Sequence, residues 1–310
     1  MTTLTSRGFL RRARWSLLLT AVVLAAIAVV LVRGVKIDPS EVLHALAELG
    51  PGAIALAAVL VVCQGLLLMT RLWSLFPTEP RPSWPRVAYG FCVGQLVNNF
   101  IRRPGDILKV LLIAGSPPTG PSRAETVGVV VVDKLVDLAV LFSVLAWVGT
   151  GTVAFPVSLV VVIGFITLAA VAVLRQRSAL VARIVAGMHS ARDPRRLAAA
   201  AVMAMASWSA ELAAIHYLAS ALGFDLGFAD AVRVIVMLNL GVAIPLSAAN
   251  LGTFEVAIGL GLHAAGMSFA DGLAIATAYH AIQILAITLW TFVLAIVRRL
   301  APAAFEPEAS

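Results

Sequence analysis

Long apolar runs alternate along this chain with short stretches rich in Arg, Pro or Gly. Runs at 15–32, 53–69, 126–147, 155–174, 197–219 and 273–297 are each close to the roughly 20 residues a helix needs to cross a hydrocarbon core. They are rich in Ala, Leu and Val and do not alternate with polar residues, which predicts helices rather than a β-barrel. Two further apolar regions are broken. The first, 87–115, is interrupted by Asn98-Asn99-Phe100-Ile101-Arg102-Arg103-Pro104-Gly105-Asp106. The second, 231–262, is interrupted by Ile244-Pro245-Leu246-Ser247-Ala248-Ala249-Asn250-Leu251-Gly252-Thr253-Phe254-Glu255. Pro cannot donate to a helix ladder, and Asn and Gly favour non-helical backbone. Backbone groups freed inside a bilayer must be satisfied by protein or by a polar cavity. Each region therefore reads as a re-entrant hairpin of two half-helices meeting at a polar break, with Glu255 at the start of a new half-helix; the alternative for 87–115 is two short helices on the cytoplasmic side that never reach mid-membrane.

The pattern repeats. One unit, about 53–147, is a span, a broken hairpin and a span; a second, about 197–297, has the same order. Alternating the spans across the membrane makes the second unit the inverse of the first. Asn98 or Asn239, then Pro104 or Pro245, then a Gly and an acid recur at the two breaks. The predicted fold is an all-α polytopic membrane helix bundle with about six full spans and two re-entrant helical hairpins in an inverted repeat. Secondary transporters place their binding sites at such paired breaks.

Composition agrees: 310 residues, 61% hydrophobic and only 13% charged, with a mean hydropathy of +0.98. Soluble domains carry about 25% charged residues. The net charge of +7 serves topology rather than nucleic-acid binding. Of the 23 basic residues, 16 fall in segments assigned to the cytoplasm, and only Arg33 and Lys36 in external loops. By the positive-inside rule both termini are cytoplasmic. The domain reading is a basic N-terminus at 1–14, a transmembrane domain at 15–299 and a disordered tail at 300–310. Arg71, Arg81 and Arg86 are assigned to a Pro-rich cytoplasmic loop, and 175–196 to the largest cytoplasmic loop. The loop at 33–51 is expected to hold an amphipathic helix with Ser40 as N-cap, Gly50-Pro51 as its stop, and Val42, Leu43, Leu46 and Leu49 on its apolar side.

Cys63 and Cys92 have no metal-ligand spacing, and no nucleotide, metalloprotease or nucleophile-elbow motif occurs. No cofactor and no enzymatic activity is expected. The candidate chemistry lies in charges within apolar runs, which are costly unless paired or wet. Asp133 and Asp137 share one helix face. Arg102, Arg103, Lys109 and Lys134 are expected to form a basic pocket for a lipid phosphate, balanced by Asp106, Asp133 and Glu255. Asn98, Asn99, Asn239 and Asn250 line the breaks, and Tyr279 and His280 sit mid-span, where His280 could relay a proton. Glu211 is assigned to Lys134 or Arg233 as partner. His216 and His263 are read as structural.

On these motifs the chain resembles the membrane region of lysylphosphatidylglycerol synthases and related stand-alone flippase-like membrane proteins of bacteria and archaea, over roughly 15–299. The family pattern of Asn, then Arg-x-Gly-Glu and a basic residue is met here by Asn98 or Asn99, Arg103-Pro104-Gly105-Asp106 and Lys109. Glu-Arg-x-x-Asp is met by Asp133-Lys134-Leu135-Val136-Asp137. The Pro- and Gly-rich second hairpin is met by Pro245, Ser247, Asn250, Gly252 and Glu255, with Ala248-Ala249-Asn250 where glycines are usual. Tyr-Arg is met by Tyr279-His280. The resemblance implies a lipid flippase in the bacterial cytoplasmic membrane, acting on an anionic phospholipid or a polyprenyl-phosphate-linked lipid. A partner lipid-synthesis enzyme is possible, and no nucleic-acid partner is expected. The alternatives are a membrane-embedded headgroup transferase or a non-transporting scaffold. The aminoacyl-transfer domain of the synthases has no counterpart in this chain.

Overall fold

Apolar stretches become helices here wherever Pro, Gly or a capping side chain marks their ends. The computed structural model describes residues 38–78, 81–100, 104–115, 120–147, 179–188, 192–243 and 250–306. The apolar runs 15–32 and 155–174, the basic N-terminus, Arg102, Arg103, Pro245 and Ser247 lie outside the described residues. The helices are α1 (Pro39–Glu48), α2 (Gly50–Ser74), α3 (Trp84–Phe100), α4 (Pro104–Ile113), α5 (Arg123–Trp147), α6 (Ala179–Gly187), α7 (Pro194–Ala221), α8 (Phe228–Ala243), α9 (Thr253–Ala264) and α10 (Phe269–Leu300), followed by a 3-10 turn at Pro302–Phe305. No strand occurs among the described residues.

Four predicted spans are present as longer helices: α2, α5, α7 and α10. By length and apolar character α2, α7 and α10 suffice to cross a membrane. α5 matches α2 at 25 residues but carries Asp133, Lys134 and Asp137. Along α10, Leu285, Leu289, Phe292 and Ile296 recur at helical spacing and are exposed. In water such a stripe would be a liability; a bilayer covers it. The element order repeats as predicted, a long helix, two short ones and a long helix, in α2–α5 and again in α7–α10.

The described residues fall into two compact units, Met1–Val62 with Val93–Ile107 and Ala210–Trp290, and Cys63–Cys92 with Leu108–Ser209 and Thr291–Ser310. The core of the first includes Ile215, Leu218, Ile235, Ile258, Leu262 and Tyr279. That of the second includes Met69, Leu72, Phe76, Val87, Ile113 and Val129.

Several expectations are corrected. The N-cap of the amphipathic helix α1 is Asp38, whose carboxylate accepts from Ser40 N–H at 2.9 Å. An Asp at that position caps through its side chain, while Pro39 occupies the first turn where no N–H is needed. Leu43 is exposed and Ala45 takes its place among the buried positions with Leu49. Gly50-Pro51 does stop α1, as expected: the helix ends at Glu48, just before it. Gly50 takes a left-handed φ of 67° and α2 starts there. The loop at 175–196 contains α6, whose Gly187 lies against Glu125 of α5 while Gly128 of α5 lies against Ile184 and Gly187. These glycines let two backbones meet, with an added Cβ at Gly128 landing 2.5 Å from the Ile184 carbonyl. The tail is ordered through Glu306, because Phe305 is buried edge-on to Tyr89 at 6.2 Å.

Candidate functional site

The second hairpin is the pair α8 and α9. Gly261 brings α9 against Val234 of α8, and Gly241 of α8 sits under Ala257 of α9, so the arms touch almost backbone to backbone at both ends. At the start of α9, Asn250 takes φ 56° and Gly252 φ 82°. The chain leaves helical geometry there and re-enters it at Thr253. Glu255 repairs the junction. One carboxylate oxygen accepts from Gly252 N–H at 2.6 Å, satisfying a backbone donor that has no helical partner. The other meets Nδ1 of His280 on α10 at 2.7 Å. Both side chains are largely buried, and the His280 ring stacks on Phe254 at 4.1 Å. Thr253 adds a bond from its hydroxyl to Asn250 O at 2.8 Å.

Beside His280, Tyr279 is fully buried, with its hydroxyl within electrostatic reach of Glu211 and Gln283. Glu211 is likewise buried. Arg233, one of its expected partners, is instead paired with Asp230 at 2.6 Å, one helical turn away on α8. Asn239 turns back on its own helix, donating to Ile235 O at 2.8 Å. It does not play the part that Asn98 plays in the first hairpin. His216 and His263 lie against the backbone carbonyls of Leu226 and Met267, each at 3.0 Å.

The first hairpin, α3 and α4, is closed by a different device. The Asn98 side-chain oxygen accepts from Gly105 N–H at 2.9 Å, and its amide donates to Asp106 at 3.3 Å. A Cβ on Gly105 would collide with the Gly94 carbonyl and with the Asn98 side chain. Only glycine allows α4 to start this close to α3. Asn99 is half-buried. Lys109 is 97% buried, its ammonium 5.0 Å from the centre of the Phe91 ring.

Asp133 and Asp137 lie one turn apart on α5 and converge on a single cation that the sequence reading had put in a loop. Arg71, in the last turn of α2, donates from Nε to Asp133 at 2.7 Å and from Nη1 to Asp137 at 2.6 Å. Its side chain is 2% exposed. Two carboxylates at i and i+4 inside an apolar run demand a buried partner, and that demand was the available signal. Lys134 points away: it is exposed, while Lys109 is buried against Phe91. Arg102 and Arg103, the other two residues of the expected basic pocket, lie outside the described residues.

A family model of the lysylphosphatidylglycerol synthase TM region matches residues 9–291. The chain belongs to that family. Searches of curated proteins and of solved structures gave no match. Membership in the lysylphosphatidylglycerol synthase TM family makes this a membrane protein of lipid metabolism or transport. The match takes in both hairpins, the Arg71 cluster and the Glu255–His280 pair; the fold-back at Pro302–Phe305 lies beyond it.

Proposed function

We propose that this chain moves an anionic phospholipid or a polyprenyl-phosphate-linked lipid between the leaflets of a bacterial cytoplasmic membrane, without catalysing a reaction on the headgroup. The observation that carries this reading is the junction at Glu255. At the start of α9 one carboxylate accepts from Gly252 N–H and also contacts an imidazole on the neighbouring long helix, an ionisable pair held where the second half-helix begins. Polar and ionisable groups at such positions in a membrane protein are costly and mark transport paths and proton relays. Glu255 and His280 can share or pass a proton as lipid binds and leaves.

The test is a leaflet assay in proteoliposomes, comparing fluorescent phosphatidylglycerol and a short-chain polyprenyl phosphate with a neutral lipid. Wild type should move an anionic lipid and leave the neutral one. Glu255→Gln keeps an acceptor for Gly252 N–H and should fold, yet slow transfer at least tenfold, as should His280→Gln. If wild type moves none of these lipids, the transport reading falls. If both variants transfer at the wild-type rate, the site is elsewhere.

A further inference from the structure

Away from both hairpin breaks, the start of α3, the end of α4, the end of α10 and the 3-10 turn enclose a cavity of about 310 Å³. That is at the lower end of the roughly 300–1,000 Å³ typical of small-ligand sites. Two guanidinium groups line it. Arg86 donates from Nε to Leu112 O at 3.2 Å and from Nη2 to Ala114 O at 2.5 Å. These bonds satisfy carbonyls at the end of α4 and fix the direction of the Arg86 fork. Arg298 lies over the Tyr89 ring at 5.0 Å. Among the described residues neither arginine is paired with a carboxylate. They are close enough to repel each other. The wall is completed by Tyr89 and by Phe305, whose burial draws the chain end over the cavity. Glu306 stands at the wall with an exposed side chain, so the lining is net positive by one charge.

Two like charges do not gather in one cavity without cost unless something neutralises them. Guanidinium forks match phosphate oxygens bidentately, and here both groups are oriented before a ligand arrives. We propose that this cavity binds a phosphate monoester or diester group, with Arg86 and Arg298 as its ligands and Tyr89 as the platform that orients Arg298. Glu306 opposes the anion unless the ligand carries a hydroxyl or ammonium beside its phosphate. The group can belong to a lipid headgroup or to a free phosphate, and the chemistry of the two forks is the same for both.

The test is calorimetric titration of the full chain in nanodiscs of neutral lipid, with dihexanoyl phosphatidic acid in one arm and inorganic phosphate in the other. Saturable binding of the lipid alone assigns the site to a headgroup; equal binding of inorganic phosphate assigns it to a soluble anion. Arg298→Gln leaves the α4 cap intact and should weaken binding at least tenfold. Glu306→Gln should tighten it about threefold. The readout requires no transport, so a chain that binds but does not move lipid sinks the flippase reading and leaves this site standing. To separate this site from the hairpin, the titration is repeated with Glu255→Gln: a loss of affinity in that variant that Arg298→Gln does not share would put the binding at the hairpin and overturn the proposal. Absence of binding in both arms, or binding that Arg298→Gln and Glu306→Gln leave unchanged, overturns the proposal.

Discussion

At the scale of single residues, the buried cluster of Arg71, Asp133 and Asp137 is where charge matters most to stability. Removing one member of a buried ion pair typically costs about 3–5 kcal/mol, because the partner is left charged and dry. Arg71→Ala should therefore abolish stable purification or lower the melting temperature sharply. Replacing all three by Leu should restore much of what was lost, since a packed apolar cluster is often as stable as a buried pair. A triple variant no more stable than Arg71→Ala would mean that the cluster contributes geometry that apolar packing does not replace. Half of this cluster was legible. The i, i+4 spacing of Asp133 and Asp137 announced a shared partner, but Arg71 stands two residues after an apolar run, where counting positive charges assigns an arginine to a loop. A helix end does not stop where hydropathy does: α2 continues to Ser74 and carries the guanidinium with it. Glu255 was legible as a half-helix start, whereas its contact with His280 joins positions 25 residues apart and needed the fold.

The elements themselves followed the apolar pattern closely. Runs of about 20 Ala, Leu and Val residues have few alternatives to a helix in lipid, so α2, α5, α7 and α10 could be read directly. α6 and the turn at Pro302–Phe305 could not, because each is short and owes its place to packing, against α5 in one case and Tyr89 in the other. Two predictions belong at this scale. Gly105→Ala puts a methyl group into the Gly94 carbonyl. Overpacking costs about 1–3 kcal/mol, and a backbone obstacle puts this site at the upper end. A thermal-shift measurement in detergent should show the loss, and an unchanged midpoint would mean that α3 and α4 can part freely. The second concerns the cap of α7. Asp193 accepts from Arg195 N–H at 3.0 Å, and its other oxygen accepts from Arg196 Nε at 2.9 Å. Desolvation is the largest single influence on the carboxyl and works upward, but the bonds and charge of Arg196 and the Arg195 N–H together outweigh it and hold the carboxyl below its ordinary 3.8. A depressed carboxyl stabilises fully above that value and loses its contribution as pH falls through the lower folded value. Wild type should accordingly lose more of its melting temperature than Asp193→Asn between pH 6 and pH 3. Parallel curves for the two proteins would show that the cap carries no proton linkage.

For the molecule as a whole, the charge asymmetry of the loops predicts an orientation. A reporter that is active only in the cytoplasm should work when fused after residue 310 and fail when inserted in the turn at 222–227 between α7 and α8. The reverse result would invert every assignment of side made from the arginines. The repeated order of long helix, two short helices and long helix was visible in hydropathy alone. The closeness of the short pairs was not, since it depends on which glycines face a neighbour. That closeness has a mechanical consequence. Arms that meet near backbone contact at both Gly241 and Gly261 leave no layer of side chains to shear or repack. The pair α8–α9 cannot part like a jaw without losing its whole interface; it is a stiff lever. Movement of the arms then comes as rotation of the pair as one body about its ends, at the short turns that join it to α7 and α10.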